Sequence, residues 1–513
     1  MTVEWTSVLD EAGVARLAEL LALKIAPGDL IALNGDLGAG KTTLARALIA
    51  ALLSDGSAEV PSPTFSLHQS YTARRLTVAH FDLYRLSGAD EARELGFEDA
   101  MAEGAVVVEW PQRAAGLLPE SRFEVVLAET IDPGLRSVTL RGLGSAAQRA
   151  ARVGEIMDFL QRQPEQAGGM RIRYLQGDAS TRSYARLHGD GRTALLMDAP
   201  RQPDGAPIRD GKSYSRIAHL AEDMVRPFVA ISSVLRGTGL SAPAVIAADL
   251  DKGLLLVEDL GDSVFGPALA AGASQAELWR AATDALVRLR GVPVPSTLPL
   301  PDGSAYTLPR RDRAAFEIEI ELLLDWLWPE IKGGPAPADV RAEFRDLWAP
   351  VLDRLLALPG GWFLRDFHSP NLLWLPEREG VARVGIIDFQ DALNEHPAFD
   401  LASLLQDARI TIPEGLEREL FAHYCAQLHA REPGFDRDGF ATAYADFGAQ
   451  RNTRLLGLWV RLLRRDGKPG YMQHMPRTWG YLQRNLRSAE LAPLAAWYDR
   501  HFPASVRKQA LPH

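Results

Sequence analysis

The sequence predicts two folded units in series: an α/β domain built on a glycine-rich phosphate turn, then an α+β domain with two lobes. Three observations carry this expectation. The segment Gly35 to Thr42 reads G-x-x-x-x-G-K-T and lies between an apolar run, Leu30–Leu33, and a helical Ala/Leu-rich stretch, Lys41–Leu53. Far downstream, D-x-x-x-x-N (Asp366 to Asn371) is followed by Asp388 in a β-rich island spanning residues 362–389. Between them the composition changes. Ala, Gln, Arg and Gly dominate GSAAQRAAR and RQPEQAGG over residues 144–169, which marks a junction.

A chain of 513 residues has room for two to four domains. With 47% hydrophobic and 24% charged residues, each can bury a core of ordinary size. The net charge of -10 argues against coating bare nucleic acid through counterion release, so no direct DNA binding is expected. Cys425 is the one cysteine; it allows no intrachain disulfide and reads as a small buried hydrophobe. The start, MTVEWTSVLDEAG, lacks a basic and apolar leader, and long apolar runs are broken by charge. A cytoplasmic protein without membrane contact is the expectation.

In the first domain, residues 1–143, helical periodicity runs over Asp10–Leu21, and the strand at residues 29–34 enters the glycine turn. Gly35, Gly38 and Gly40 let the backbone curl its N–H groups around phosphate, and the following helix adds its positive end. In such a turn Lys41 reaches the β- and γ-phosphates and Thr42 ligates Mg²⁺. Strand-like runs follow at residues 76–82, 106–110, 123–127 and 137–140. The first two end in Asp82 and Glu109, placed to face a nucleotide crevice in a parallel sheet.

Taken in order, GDLGAGKTT (35–43), SPTFSL (62–67), HFDLYR (80–85), ELGFED (94–99) and VEWPQR (108–113) resemble the TsaE family of tRNA threonylcarbamoyladenosine synthesis. The resemblance implies a small P-loop ATPase working with TsaB/TsaD-like threonylcarbamoyltransferase subunits on position 37 of tRNA. It implies that Lys41, Thr42 and Thr43 hold phosphates and Mg²⁺, that Thr64 is switch-like, that Asp82 assists the metal and that Glu109 supports hydrolysis. Trp110 reads as core packing rather than nucleotide stacking. A nucleotide-gated binding module with weak turnover is the alternative.

Residues 144–152 read as a linker, and an amphipathic helix over residues 155–162 opens the second domain, 153–513. Strand-like runs at residues 171–175, 194–197 and 254–257 give an N-lobe to about residue 262; after Ser274 the chain is mostly helical. The spacing of Asp366, Asn371 and Asp388 is that of a kinase. Asp366 accepts the substrate hydroxyl proton, while Asn371 and Asp388 hold Mg²⁺. Gly177, Ser180 and Arg182 lie where a phosphate-covering loop belongs. The stretch containing Glu258 and Leu260 reads as an adenine-binding hinge, and Asp400 as an anchor for the catalytic loop. Two features depart from the kinase pattern: Leu364-Arg365-Asp366 lacks the usual His, and Met197-Asp198 stands where the phosphate-pairing Lys is expected. Arg182 or Arg186 is the candidate replacement. The Arg- and aromatic-rich residues 451–487 read as C-lobe helices with a solvated basic face.

This layout resembles the aminoglycoside phosphotransferase family, a bilobal protein-kinase-like fold. GDASTRSYARL (177–187), LLMDAP (195–200), VEDLGD (257–262), LRDFHSPNLLWL (364–375) and QRNTRLLGLWVRL (450–462) are similar to anomeric kinases of N-acetylmuramate and N-acetylglucosamine. That subgroup implies ATP-dependent phosphorylation of an amino sugar at C1 during peptidoglycan recycling. An aminoglycoside or other small-molecule phosphotransferase is the alternative.

Overall fold

The computed structural model describes residues 1–53, 60–63, 66–175 and 182–507, which divide into two compact units. The first comprises Met1–Pro200 and Val245–Asp259, the second Arg201–Ala244 and Leu260–His513. Thr64, Gly177 and Ser180 lie outside the described residues.

The first unit begins with β1 (Thr2–Leu9), α1 (Glu11–Lys24), β2 (Leu30–Asn34), α2 (Lys41–Leu53), β3 (His68–Thr72) and β4 (Thr77–Asp82). It continues with α3 (Ala89–Glu94), α4 (Phe97–Glu103), β5 (Ala105–Glu109), β6 (Arg122–Glu129) and β7 (Arg136–Leu143). Asp10 caps α1 by accepting from Gly13 N at 2.7 Å. The strands form a seven-stranded sheet in the order β1-β7-β6-β2-β5-β4-β3. Its middle is parallel: β2 pairs with β5 and β6, and β4 with β5. Ile31 and Leu33 of β2 enter one hydrophobic cluster, Leu30 and Ala32 the other. That burial on both faces explains the unbroken apolar run.

A second sheet of the same unit has five antiparallel strands. These are β8 (Arg171–Leu175), β9 (Ser183–Gly189), β10 (Arg192–Asp198), β11 (Val245–Asp249) and β12 (Leu254–Glu258).

The expected linker is not one. Residues 144–152 form a 3-10 turn, Gly144–Ala146, and the first turns of α5 (Ala147–Gln161). Helix α5 buries Val153, Ile156, Met157 and Leu160 and packs on β1 and β7. A Cβ at Gly154 would meet the Trp5 ring at 2.7 Å, and Trp5 Nε1 donates to Asp158 at 2.7 Å. One continuous cluster joins Leu17, Leu21 and Leu48 of the P-loop half to Ile172, Leu187 and Leu196 of the second sheet. The sequence suggested a break because alanines and arginines are spread along this helix. Its arginines are in fact bonded, Arg149 forking onto Asp29 and Arg152 onto Asp198.

The second unit is mainly helical. Its elements used below are α6 (Tyr214–Ile217), α7 (Arg313–Ile320), β13 (Leu372–Trp374), β14 (Val384–Ile386), α8 (Ala398–Leu405) and the 28-residue α9 (Arg437–Arg464). The β-rich island is slight: β13 pairs with β14, and Trp362–Phe363 with Leu393–Asn394. These two ladders bracket the loop that carries Asp366 and Asn371.

Candidate active sites

The phosphate turn leads directly from β2 into α2. Gly35, Gly38 and Gly40 have φ of +144°, +84° and +104°, values that side chains disfavour. A Cβ at Gly35 would lie 2.4 Å from Leu127 O, whereas Gly38 and Gly40 face open space. The turn is thus a shallow cradle of backbone at the positive end of α2, which suits phosphate. Lys41 Nζ donates to the carbonyls of Gly35 and Asp36, both at 2.8 Å, and sits 4.0 Å from the Trp110 ring centroid. Burial lowers the Lys41 pKa, against the opposing pull of Glu109, Asp82 and Asp36.

Asp82 and Glu109 are register partners on neighbouring parallel strands, β4 and β5. Both are buried and end their strands beside the turn. Glu109 is held from two sides: Thr42 Oγ1 donates to Oε2 at 2.9 Å, and His80 Nε2 contacts Oε1 at 3.0 Å. Asp82 accepts from Tyr84 N at 3.1 Å, and burial pushes its pKa up, with Glu109 adding to the effect. Thr42, Asp82 and Glu109 therefore offer oxygen ligands of the kind Mg²⁺ takes beside a phosphate. Thr43 stands in the first turn of α2. Trp110 packs partly buried on the second core cluster, as expected, but its face also covers Lys41. The backbone at Trp110 is left-handed, φ +60°.

In the second unit, Asp400 at the start of α8 accepts from Leu364 N at 2.6 Å and Arg365 N at 3.0 Å, tying down the base of the catalytic loop. Asp366 follows in a tight turn. Its N–H donates to Leu364 O at 2.9 Å, and its carbonyl accepts from His368 N and Asn371 Nδ2, both at 3.0 Å. Asn371 Nδ2 also lies 3.3 Å from Asp388 Oδ2. Gln390 Nε2 holds the other oxygen, Oδ1, at 3.0 Å. Arg365 and Asp388 both adopt positive φ, +70° and +62°. Such strain at two site residues persists only where the surroundings enforce it. The carboxamide of Asn371 and the carboxylate of Asp388 thus sit side by side, a hard-oxygen set that fits a divalent cation.

Arg365 replaces the usual His and has its own anchorage. Its Nη2 donates to Glu319 Oε1 at 2.9 Å and to Ala218 O at 3.1 Å. Fully buried Glu319 of α7 also accepts from Arg311 and Gln450, each at 2.9 Å. Burial alone would raise its pKa, but Arg454, Arg311 and Arg365 outweigh that and hold it at about 2. This network draws on residues far apart in the chain, and no local motif announces it. Arg451, Arg454 and Arg461 of α9 are also not the solvated face expected from sequence, whereas Arg437 and Arg464 are exposed. Arg451 is 4% exposed, donates to Gln406 O at 3.1 Å and feels the charges of Asp407 and Asp366.

In the second sheet Arg186 is paired with Asp259, Nε to Oδ2 at 2.7 Å. The guanidinium of Arg182 stands 6.0 Å from the Tyr184 ring centroid. Asp198, at the position lacking the kinase lysine, is gripped by Lys24 and by Arg152 at 2.7 Å. Burial raises its pKa, and the two cations more than reverse that. Glu258 ends β12 opposite Ala194. Leu260 opens the second unit and packs near Gly385.

The profile described as threonylcarbamoyl adenosine biosynthesis protein TsaE matches residues 8–136, and that described as phosphotransferase enzyme family matches residues 171–438. An N-acetylmuramate/N-acetylglucosamine kinase of Caulobacter vibrioides is 40% identical over 349 residues, 66% of this chain and 94% of the relative. A tRNA threonylcarbamoyladenosine biosynthesis protein TsaE of Rickettsia conorii is 38% identical over 154 residues, 30% of this chain and 85% of that one. The chain belongs to the TsaE family in its N-terminal part and to the phosphotransferase enzyme family in its C-terminal part. Among solved structures, an ADP-bound aminoglycoside phosphotransferase is similar at 14% identity and TM-score 0.40, covering 64% of this chain and 96% of that one. The chain is therefore an enzyme that fuses a TsaE P-loop NTPase fold to a phosphotransferase with the protein-kinase-like fold. The TsaE cradle and the phosphotransferase loop are separate sites, one in each unit. Among the described residues, no helix is long and apolar enough to cross a membrane.

Proposed function

We propose that the C-terminal phosphotransferase is a cytoplasmic ATP-dependent kinase acting on the anomeric C1 hydroxyl of N-acetylmuramate and N-acetylglucosamine. Its product would return amino sugar to peptidoglycan precursors. The observation that carries this reading is the convergence of Asp366, Asn371 and Asp388 through the Asn371 carboxamide. The half-buried Asp366 takes the hydroxyl proton as the sugar oxygen bonds to the γ-phosphorus. The bond from that phosphorus to the β-bridging oxygen breaks, and ADP leaves with the electron pair. Asn371 and Asp388 would hold Mg²⁺, which offsets the charge that builds on the triphosphate. An anomeric hydroxyl is more acidic than an ordinary alcohol, so a carboxylate suffices as base. Buried Arg451 and half-buried Arg454, whose charges act on Asp366, disfavour a polycationic aminoglycoside, which calls for an acidic pocket. Mass analysis of products from ATP with N-acetylmuramate, N-acetylglucosamine or an aminoglycoside tests the reading. Turnover of the aminoglycoside alone would refute it.

For the N-terminal part we infer ATP hydrolysis in support of tRNA threonylcarbamoyladenosine synthesis at position 37, alongside TsaB/TsaD-like subunits. Gly35, Gly38, Gly40, Lys41 and Thr43 cradle phosphate, while Thr42 and Asp82 would hold Mg²⁺. Glu109, fixed by Thr42 and His80, orients the attacking water. ATPase assays with and without the partner subunits test this reading. Stimulation is expected, and indifference to the partners would count against it.

A further inference from the structure

Two arginines on one face of α9, Arg454 and Arg461, lie two helical turns apart. Both are half-buried and both interact electrostatically with Tyr214 of α6. The Arg461 guanidinium stacks on the Tyr214 ring at 4.8 Å from its centroid. Each Nε is buried without a hydrogen-bond acceptor among the described residues. Glu319, the acid nearest Arg454, stays 3.9 Å from its Nε and is already bonded by Arg311, Arg365 and Gln450. Arg461 interacts with Tyr214, with the cations Arg465 and Arg454, and with Asp466, which Arg465 already pairs. Two adjacent guanidiniums with unspent donors are a costly arrangement unless an anion joins them. The pair also has a direction. Arg454 Nε lies 3.9 Å from the Glu319 oxygen that Arg365, the neighbour of Asp366, also bonds, and Arg461 stands further along the helix.

We propose that Arg454, Arg461 and the Tyr214 hydroxyl form a carboxylate subsite of the sugar pocket. The proposal rests on the sugar-kinase reading above. Of the two amino sugars, only N-acetylmuramate carries a carboxylate, on the lactyl ether of the third ring carbon. With the C1 hydroxyl at Asp366, that carboxylate extends to the side, where the guanidinium fork can bind both oxygens. N-acetylglucosamine leaves the subsite to water, which permits both substrates and favours the acidic one.

The test is kcat/KM of the full chain on both sugars for wild type, Arg461→Gln and Arg461→Lys. Loss of a charge-assisted pair predicts that the N-acetylmuramate to N-acetylglucosamine ratio falls about tenfold to a hundredfold in Arg461→Gln. The loss should sit mainly in KM, with part of it recovered in Arg461→Lys. Turnover of N-acetylglucosamine doubles as the control for folding. An unchanged ratio, or an equal fall on both sugars, overturns the subsite and leaves the kinase reading standing. A wild type that accepts N-acetylglucosamine but not N-acetylmuramate does the same. A wild type inert on both sugars overturns the kinase reading itself.

Discussion

Thr42 Oγ1 donates to Glu109 Oε2 at 2.9 Å, joining the end of the phosphate turn to the end of β5. The same carboxylate meets His80 on its other oxygen. Glu109 is thus held on both carboxylate oxygens. Glu109→Gln should slow ATP hydrolysis about 10²–10⁴-fold while nucleotide still binds. Steady-state hydrolysis beside fluorescent nucleotide titration checks this. Loss of binding instead would mean that Glu109 shapes the cradle rather than the chemistry.

Asp366→Ala should lower sugar phosphorylation about 10²–10⁴-fold, the usual worth of a positioned base. Lys41→Ala should abolish hydrolysis at the first site and spare the second. Coupled assays of ADP release with and without sugar separate the two. An effect of Lys41→Ala on sugar turnover would reveal communication between the sites.

The shared core makes a prediction about excision. A fragment starting at residue 153 strips Leu17, Leu21 and Leu48 from Ile172, Leu187 and Leu196 and takes Lys24 and Arg152 from Asp198. It should be poorly soluble or melt well below the intact chain. In the full chain, Asp198→Ala leaves two cations facing a buried gap and should cost about 3 kcal/mol. Calorimetry measures both. A fragment as stable as the whole would show that the two halves fold independently.

Glu319 sets an acid limit. Its folded pKa of about 2 lies below the ordinary 4.5, so its stabilising contribution is complete above pH 4.5. That contribution drains away as the pH falls from 4.5 towards 2. In urea unfolding across this window, Glu319→Gln should be less stable at pH 7 and show a shallower loss on acidification. A slope identical to wild type would place the acid sensitivity elsewhere.

Local patterns were legible. Helix α2 occupies Lys41–Leu53 as its composition indicates, and the apolar runs before Asp82 and Glu109 are β4 and β5. The D-x-x-x-x-N segment could be read because five residues of loop suffice to bring Asn371 back to the Asp366 carbonyl. Strand β3, His-Gln-Ser-Tyr-Thr, carries no apolar run; it is an edge strand that draws its pairing from β4. Strand β9 alternates only Ala185 and Leu187 inward, too short a pattern to stand out. The Arg311–Glu319–Arg365–Gln450 network is long-range, and spacing along the chain cannot disclose it. For the same reason Arg451, Arg454 and Arg461 looked solvated, and residues 144–152 looked like a linker.

Phosphorus NMR of the sugar product formed by wild type and by Asp366→Ala, each with ATP and N-acetylglucosamine, tests the central claim most directly. Wild type should yield a phosphate coupled to the anomeric proton, and the variant should yield almost none. A phosphate on another hydroxyl, or equal product from Asp366→Ala, would contradict the assignment.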